Sequence, residues 1–259
     1  MANKYFDIVV NKLVKYKWKL MDMKKLRWLV KNILDSEFTE KKLYKIIYYL
    51  KNRQHLENLK KNVFFVIGTD KKYNKQEILE MFYWNIVKKH CDEFLKSKYY
   101  IWWLKALELN LSSFDVPEEL LIVNQYKQAT EVVMFDKQML FKTYWRSSRG
   151  KENLFGFFYK FSKKIKLNKY TFNIACMELA ILESLYNPSM VSKWYVIELV
   201  KKILRKQWKS LDFKIWENIL RKNKHHTSIN RLYKIALSID PTLSENLKAL
   251  IKRYSYFIN

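Results

Sequence analysis

Glycine and proline are scarce, with three of each among 259 residues. That excludes collagen-like chains and Gly/Pro-rich disordered chains. Cysteine occurs only twice, too few for a disulfide framework, which points to a reducing, cytoplasmic compartment. Long apolar runs are missing as well. The longest stretch without a charged residue is residues 184–192, nine residues that include Asn187 and Pro188. A membrane-spanning helix needs about 20 mostly apolar residues. The N-terminus, Met1-Ala-Asn-Lys-Tyr-Phe-Asp, has no apolar block of the signal-peptide kind. Acidic residues are also few: 25 against 50 Lys and Arg, for a formal net charge of +25.

What is present is a core. Apolar residues make up 49% of the chain and aromatic residues 17%, enough to bury a hydrophobic interior and to argue against wholesale disorder. The length suits one large domain or two modest ones. The positive balance favours nucleic acid or an acidic protein as partner, and the lack of an apolar span argues against a membrane. An AT-rich coding bias explains a high Lys count everywhere, but not an uneven one. Residues 1–68 hold 16 basic and 6 acidic residues, residues 69–190 hold 19 and 14, and residues 191–259 hold 15 and 5. The two ends are strongly basic and the middle is nearly balanced.

Apolar periodicity predicts a helix over residues 4–16, with Phe6, Val9, Val10, Leu13 and Val14 on one side. Asp22 is placed to cap a second helix whose stripe is Leu26, Leu29, Val30 and Ile33. Asp35 to Phe38 reads as a short turn. Thr39 then caps a third helix, with Leu43, Ile46, Ile47 and Leu50 spaced i, i+3, i+4, i+7. Next, Leu56 and Asn58, then Val63, Phe65 and Ile67, alternate at period two about Lys60-Lys61-Asn62, which predicts a β-hairpin ending at Gly68. Three helices followed by a hairpin is the order of a winged helix-turn-helix.

Further on, helices are predicted over 74–91, with Ile78, Leu79, Phe82 and Ile86 inward, and over 99–109. Short strands follow over 120–124, 130–135 and 139–144, then a loop at Arg146-Ser-Ser-Arg-Gly-Lys. The aromatic run 155–161 has no clear periodicity. A strand at Tyr170-Thr-Phe, a helix over 174–186, and four helices near 190–206, 211–222, 227–239 and 243–256 complete the chain, with Asp240-Pro241 as punctuation. The fold class expected is α+β, mostly helical: an N-terminal winged helix-turn-helix over 1–68, a mixed α/β domain over 69–190, and a basic helical C-terminal segment over 191–259.

Opposite its apolar stripe, the third helix carries Lys41, Tyr44, Lys45 and Tyr48, again at i, i+3, i+4, i+7, with Thr39, Lys42, Asn52 and Arg53 beside them. In a helix-turn-helix such a face enters the major groove. Lys and Arg neutralise phosphate or reach guanine, Asn pairs with adenine, and Tyr bonds phosphate or packs on sugar. Lys60, Lys61 and Asn62 at the hairpin tip form the wing. A solvated polar face is the bland alternative for any one Lys-rich helix. The element order and the charge of the first 68 residues favour the groove.

Residues 22–67 resemble the N-terminal winged helix of the AbiEi-type antitoxins of type IV toxin–antitoxin systems. The stretch Leu50-Lys-Asn-Arg-Gln-His-Leu-Glu-Asn-Leu-Lys-Lys-Asn-Val-Phe-Phe-Val is the most similar, with Asn62 where the family usually has Gly. Tyr100-Ile101 followed by Lys105-Ala-Leu-Glu-Leu resembles the first helix of the family's second domain. Val116-Pro117 with Leu121-Ile-Val resembles the segment after it. Ala175 with Glu178-Leu-Ala-Ile-Leu-Glu-Ser-Leu is similar to the family's Ala…Glu-x-Ala-Leu-Leu-Asp-x-Leu helix. The likeness covers about residues 20–190 in order. Trp102-Trp103 departs from it, standing where the family has small residues.

The resemblance implies a DNA-binding antitoxin and transcriptional autorepressor that binds double-stranded operator DNA and neutralises a nucleotidyltransferase-like toxin, with no enzymatic activity of its own and no cofactor. Lys201, Lys202, Arg205, Lys206 and Lys209 are candidate contacts to phosphate or to an acidic toxin surface. The alternative is a basic RNA- or protein-binding regulatory module without a toxin partner.

No catalytic or metal site emerges from the residues. His90-Cys-Asp-Glu are consecutive on a helix and point in different directions, and the same holds for His225-His226. Cys176 sits among apolar residues and reads as core. P-loop, GxGxxG and HExxH motifs are missing. Glu178 and Glu183 lie five apart, a poor spacing for a shared site. The aromatic run 155–161 reads as core rather than as a base-stacking platform.

Overall fold

The structure is a computed structural model, and it describes residues 2–60, 62–67, 75–126, 130–134, 137–143, 154–167, 169–188, 192–222 and 224–254. Among these the fold is α+β, mostly helical, with two sheets. Contacts divide the chain into two compact units. One comprises Met1–Lys96, Val116–Glu119 and Thr130–Leu140; the other comprises Ser97–Asp115, Leu120–Ala129 and Phe141–Asn259. These divisions fall elsewhere than residues 68 and 190.

In the first unit the order is α1 (Ala2–Leu13), β1 (Lys19–Asp22), α2 (Met23–Leu34), α3 (Glu40–Asn52), β2 (Leu56–Lys60), β3 (Val63–Val66) and α4 (Lys75–Phe94). The strands form an antiparallel sheet ordered β1-β3-β2. Both predicted caps form: Asp22 Oδ1 accepts from Lys25 N at 2.6 Å, and Thr39 Oγ1 accepts from Lys42 N at 3.2 Å. Each satisfies one of the donors that a helix start leaves open.

Phe6, Val9, Val10 and Leu13 of α1 meet the stripes of α2 and α3 in one core with Met21, Leu56, Phe64 and Val66, whereas Val14, expected on the same side, lies past the end of α1 and is exposed. On α2, Leu34 is buried and Ile33 only half-buried. Leu43, Ile46, Ile47 and Leu50 are all buried. At about 1.5–3 kcal/mol per aliphatic side chain, their burial fixes which face of α3 looks outward.

Strand β1 was not anticipated. It is short, and Lys19-Leu-Met-Asp gives too little alternation to read. Its register sets Asp22 opposite Val63, and Met23 N donates to Asn62 O at 2.8 Å, so the start of α2 is tied to the hairpin turn. Asn62 adopts φ 65°, the left-handed backbone a tight turn needs and Asn tolerates. The predicted hairpin end at Gly68 lies outside the described residues.

Next come β4 (Tyr99–Ile101), α5 (Trp103–Asn110), β5 (Glu119–Asn124), β6 (Thr130–Met134), β7 (Lys137–Lys142), α6 (Leu154–Tyr159), β8 (Ser162–Leu167), β9 (Tyr170–Ala175) and α7 (Met177–Tyr186). Helices α8 (Lys193–Gln207), α9 (Phe213–Arg221), α10 (His226–Ala236) and α11 (Pro241–Arg253) follow. In the second unit the strands of the larger sheet have the order β5-β4-β9-β8. Within the second unit, β4 runs antiparallel to β5 and parallel to β9, which is antiparallel to β8.

Two expectations are corrected. The helix expected over 99–109 begins only at Trp103. Tyr99, Tyr100 and Ile101 are a strand with neighbours on both sides and are fully covered, and aromatic and β-branched residues suit such a strand. The helix expected over 174–186 begins at Met177, because Ile174 and Ala175 complete β9. The unassigned aromatic run forms α6, and the unanticipated β8 follows it. The predicted loop at 146–151 lies outside the described residues.

From α7, Met177 to Leu185 are all buried, as a helix apolar on every side must be. Its core includes residues of α5, α8, α9, α10 and α11, so the C-terminal helices share one interior with the segment before Pro188. Trp103 departs from the usual backbone rules: it is buried at φ 62°. A bulky side chain in that region costs about 1–2 kcal/mol that glycine avoids.

Candidate nucleic-acid interface

Successive residues of a helix turn by about 100°. On α3 this brings Lys41, Tyr44, Lys45, Tyr48 and Asn52 into one stripe, opposite Leu43, Ile46, Ile47 and Leu50. All five are exposed. Tyr44 and Tyr48 keep 56% and 60% of their surface open, a large aromatic area for a helix to leave in water. The stripe runs about 16 Å along the axis at a rise of about 1.5 Å per residue. Two residues that sequence reasoning missed join its border. Lys51 is exposed, seven residues after Tyr44, a continuation of the same period. Tyr49 is exposed at the far side and meets Tyr48 edge-on at 5.7 Å.

The cations near this face are not equivalent. Lys41 and Lys45 have no ion-pair partner among the described residues. Lys42 Nζ lies 2.9 Å from Glu37 Oε2. The Tyr5 hydroxyl donates to the same carboxylate, and this bond, then Lys42, holds the Glu37 carboxyl below the usual carboxylate range. Glu37 therefore stays charged and neutralises Lys42. Thr39 uses its hydroxyl as an acceptor in the cap. Arg53 follows the helix, and its guanidinium carbon lies 4.7 Å from the centre of the Phe6 ring. Neither Lys42 nor Arg53 belongs to the central stripe. At the hairpin tip Asn62 is exposed. Lys61 and the side chain of Lys60 lie outside the described residues.

The C-terminal basic residues also divide. Lys201 pairs with Glu198 at 2.8 Å and lies 5.6 Å from the Trp194 ring centre. Lys209 lies 5.9 Å from the Trp208 ring centre. Lys202, Arg205 and Lys206 are exposed, with no charged partner among the described residues.

The other clusters singled out in the sequence are held in structural contacts. Cys91 is fully buried, and burial pushes its thiol far above the ordinary range. Burial pushes the Cys176 thiol up to about 12. Lys88 pairs with Asp92, and the His90 ring packs 4.6 Å from Phe94. Glu183 accepts from the Tyr100 hydroxyl at 3.0 Å and lies 3.4 Å from Trp103 N, while Glu178 accepts from Asp212 N at 2.9 Å. The two carboxylates thus serve separate junctions.

His225 is half-buried against the edges of Phe158 and Tyr186, and burial holds its imidazole down at about 4. In the run 155–161, Phe155 and Phe158 are buried, and Phe157, Tyr159 and Phe161 pack against the same core. Among the described residues no three His, Cys, Asp or Glu side chains gather as a metal set, and no helix is long and apolar enough to cross a membrane.

No protein-family model matches the chain, and no curated protein matches it either.

Proposed function

We propose that this chain is a DNA-binding antitoxin and autorepressor of the type IV toxin–antitoxin kind, working in the cytoplasm. Its first three helices and the β2–β3 hairpin act as a winged helix-turn-helix. Helix α3 enters the major groove of operator DNA, and the hairpin tip touches the adjacent backbone. One observation carries the reading: the exposed stripe Lys41-Tyr44-Lys45-Tyr48-Asn52 lies opposite a fully buried stripe, on a helix followed by a hairpin. A helix of merely solvated charge has no reason to expose two tyrosines between unpaired lysines. Lys41 and Lys45 neutralise phosphates, Asn52 reads a base edge, and Tyr44 and Tyr48 bond phosphate or pack on sugar.

The antitoxin half of the proposal rests on the resemblance of residues 20–190 to the AbiEi-type family. It implies a nucleotidyltransferase-like toxin as partner.

Two experiments test the two halves. Gel-shift titration with the duplex preceding the gene reads the first. Lys45→Ala with Tyr48→Ala removes sequence-specific binding, and binding that survives both changes refutes the proposed face. Preference for single-stranded RNA over duplex through this same face would favour the RNA-binding alternative. Coexpression with the adjacent gene reads the second. Rescue of growth from a toxic nucleotidyltransferase supports the antitoxin role, and a neighbour that is neither toxic nor rescued removes it.

A further inference from the structure

We propose that the solvent face of α8 binds single-stranded nucleic acid, with Trp194 as the platform for one base and Lys202, Arg205 and Lys206 as the groups that hold the phosphates beside it. This surface lies on the second unit. It goes beyond the duplex reading of α3 and stands whether or not that reading does.

The face is defined by what α8 buries. Val196, Val200, Ile203 and Leu204 point into the core. At about 100° per residue, Trp194, Glu198, Lys201, Lys202, Arg205 and Lys206 fall on the opposite side. Trp194 is 69% exposed, more than any other large hydrophobic side chain among the described residues. An indole is the side chain with most to gain from a flat partner, and one left in water beside cations matches the way single strands are held. Glu198 is the one acid on this face, and Lys201 neutralises it at 2.8 Å while lying 5.6 Å from the indole centre. The cations beyond it, Lys202, Arg205 and Lys206, remain exposed without a charged partner among the described residues.

From Trp194 to Arg205 is about 16 Å along the helix, room for a stacked base and a short run of backbone. A membrane surface would need an apolar stripe, and among the described residues of α8 only Trp194 and Tyr195 are exposed large apolar side chains. An acidic protein would satisfy the cations but would leave the indole unexplained. Tyr195 is not part of the site, because its hydroxyl donates to Glu108 at 2.9 Å.

The test uses the full chain and fluorescein-labelled oligothymidylate and oligouridylate of about 15 nucleotides, in the range single-strand sites span. A polyglutamate peptide and an unlabelled duplex serve as competitors. Trp194→Ala weakens single-strand binding about 5- to 100-fold, as loss of one stacked base does, and Trp194→Phe restores most of it. Lys202→Glu, Arg205→Glu and Lys206→Glu together abolish binding. Milder Gln replacements at the three positions lower the salt slope by about 2, at about 0.7 per single-strand contact. All these side chains are at the surface, and unchanged circular dichroism and urea midpoints confirm that the variants fold.

Duplex binding that survives these changes but is lost in the α3 variant separates the two surfaces. An unmodified chain that binds neither oligonucleotide overturns the proposal. So does Trp194→Ala with unaltered single-strand affinity, or polyglutamate displacing the oligonucleotide at equal charge, which would mark an acidic-protein site.

Discussion

If α3 enters a DNA groove as proposed, replacing Lys41 and Lys45 together by Gln changes how binding responds to salt, and replacing Lys42 does not. The difference follows from pairing. Lys41 and Lys45 have no charged partner among the described residues, so each is available to displace a counterion from a phosphate. Lys42 is held 2.9 Å from Glu37, a carboxylate kept ionised by the Tyr5 hydroxyl and by Lys42 itself. Each lost phosphate contact lowers the slope of log affinity against log salt by about 0.9 on duplex DNA, so two lost contacts lower it by about 1.8. Across a fourfold rise in salt, from about 50 to 200 mM, the unmodified chain therefore loses about 12-fold more affinity than the double variant.

Fluorescence anisotropy with the duplex preceding the gene measures both slopes. Urea melting serves as control, since surface changes of this kind stay within about 0.5 kcal/mol. Equal slopes for the double variant and the unmodified chain would refute the reasoning. So would a slope change for Lys42→Gln as large as that of Lys41→Gln alone.

Three further outcomes test the fold beneath these surfaces. His225 is held neutral by burial down to about 4, whereas an unfolded histidine takes up its proton near 6.5. Stability is therefore full above about 6.5 and falls as pH drops toward 4. The loss reaches about 2 kcal/mol at pH 5, and urea titrations at neutral and acid pH of the unmodified chain and of His225→Asn, which keeps the left-handed backbone, measure it. Tyr100→Phe removes one donor from the buried Glu183 carboxylate and should destabilise the chain by about 1.5–3 kcal/mol in the same assay. Trp103→Gly should be less destabilising than Trp103→Ala by about 1 kcal/mol. Both open the same cavity, but only glycine is at ease at the observed φ of 62°, and alanine doing better would contradict the backbone argument.

What could be read from the sequence follows physical lines. Helix α3 was legible down to its cap because Leu43, Ile46, Ile47 and Leu50 repeat at 3.6 residues and Thr39 precedes them. The C-terminal helices were legible for the same reason. Strand β4 was not, because Tyr99-Tyr-Ile is a short apolar run directly before a helix and carries no period of its own. Its strand character comes from β5 and β9 on either side, which lie far off in sequence. Strand β8 was hidden by its composition: Lys163, Lys164 and Lys166 are exposed on a strand at the sheet's edge, where lysine discourages further pairing and leaves little apolar alternation to see.

At the candidate interface, the stripe was legible but the inequality of its cations was not. The Glu37–Lys42 pair crosses the Thr39 cap, and only the folded turn brings the two together. Lys51 was within reach, since it continues the spacing of Tyr44 and Tyr48.

The most direct measurement is a nuclease footprint on the region preceding the gene, taken with the unmodified chain and with Lys45→Ala/Tyr48→Ala. If α3 reads DNA, the unmodified chain protects a discrete segment in the presence of excess competitor DNA, and the variant, folded to the same urea midpoint, protects none. A footprint of the same position and strength with the variant would contradict the account.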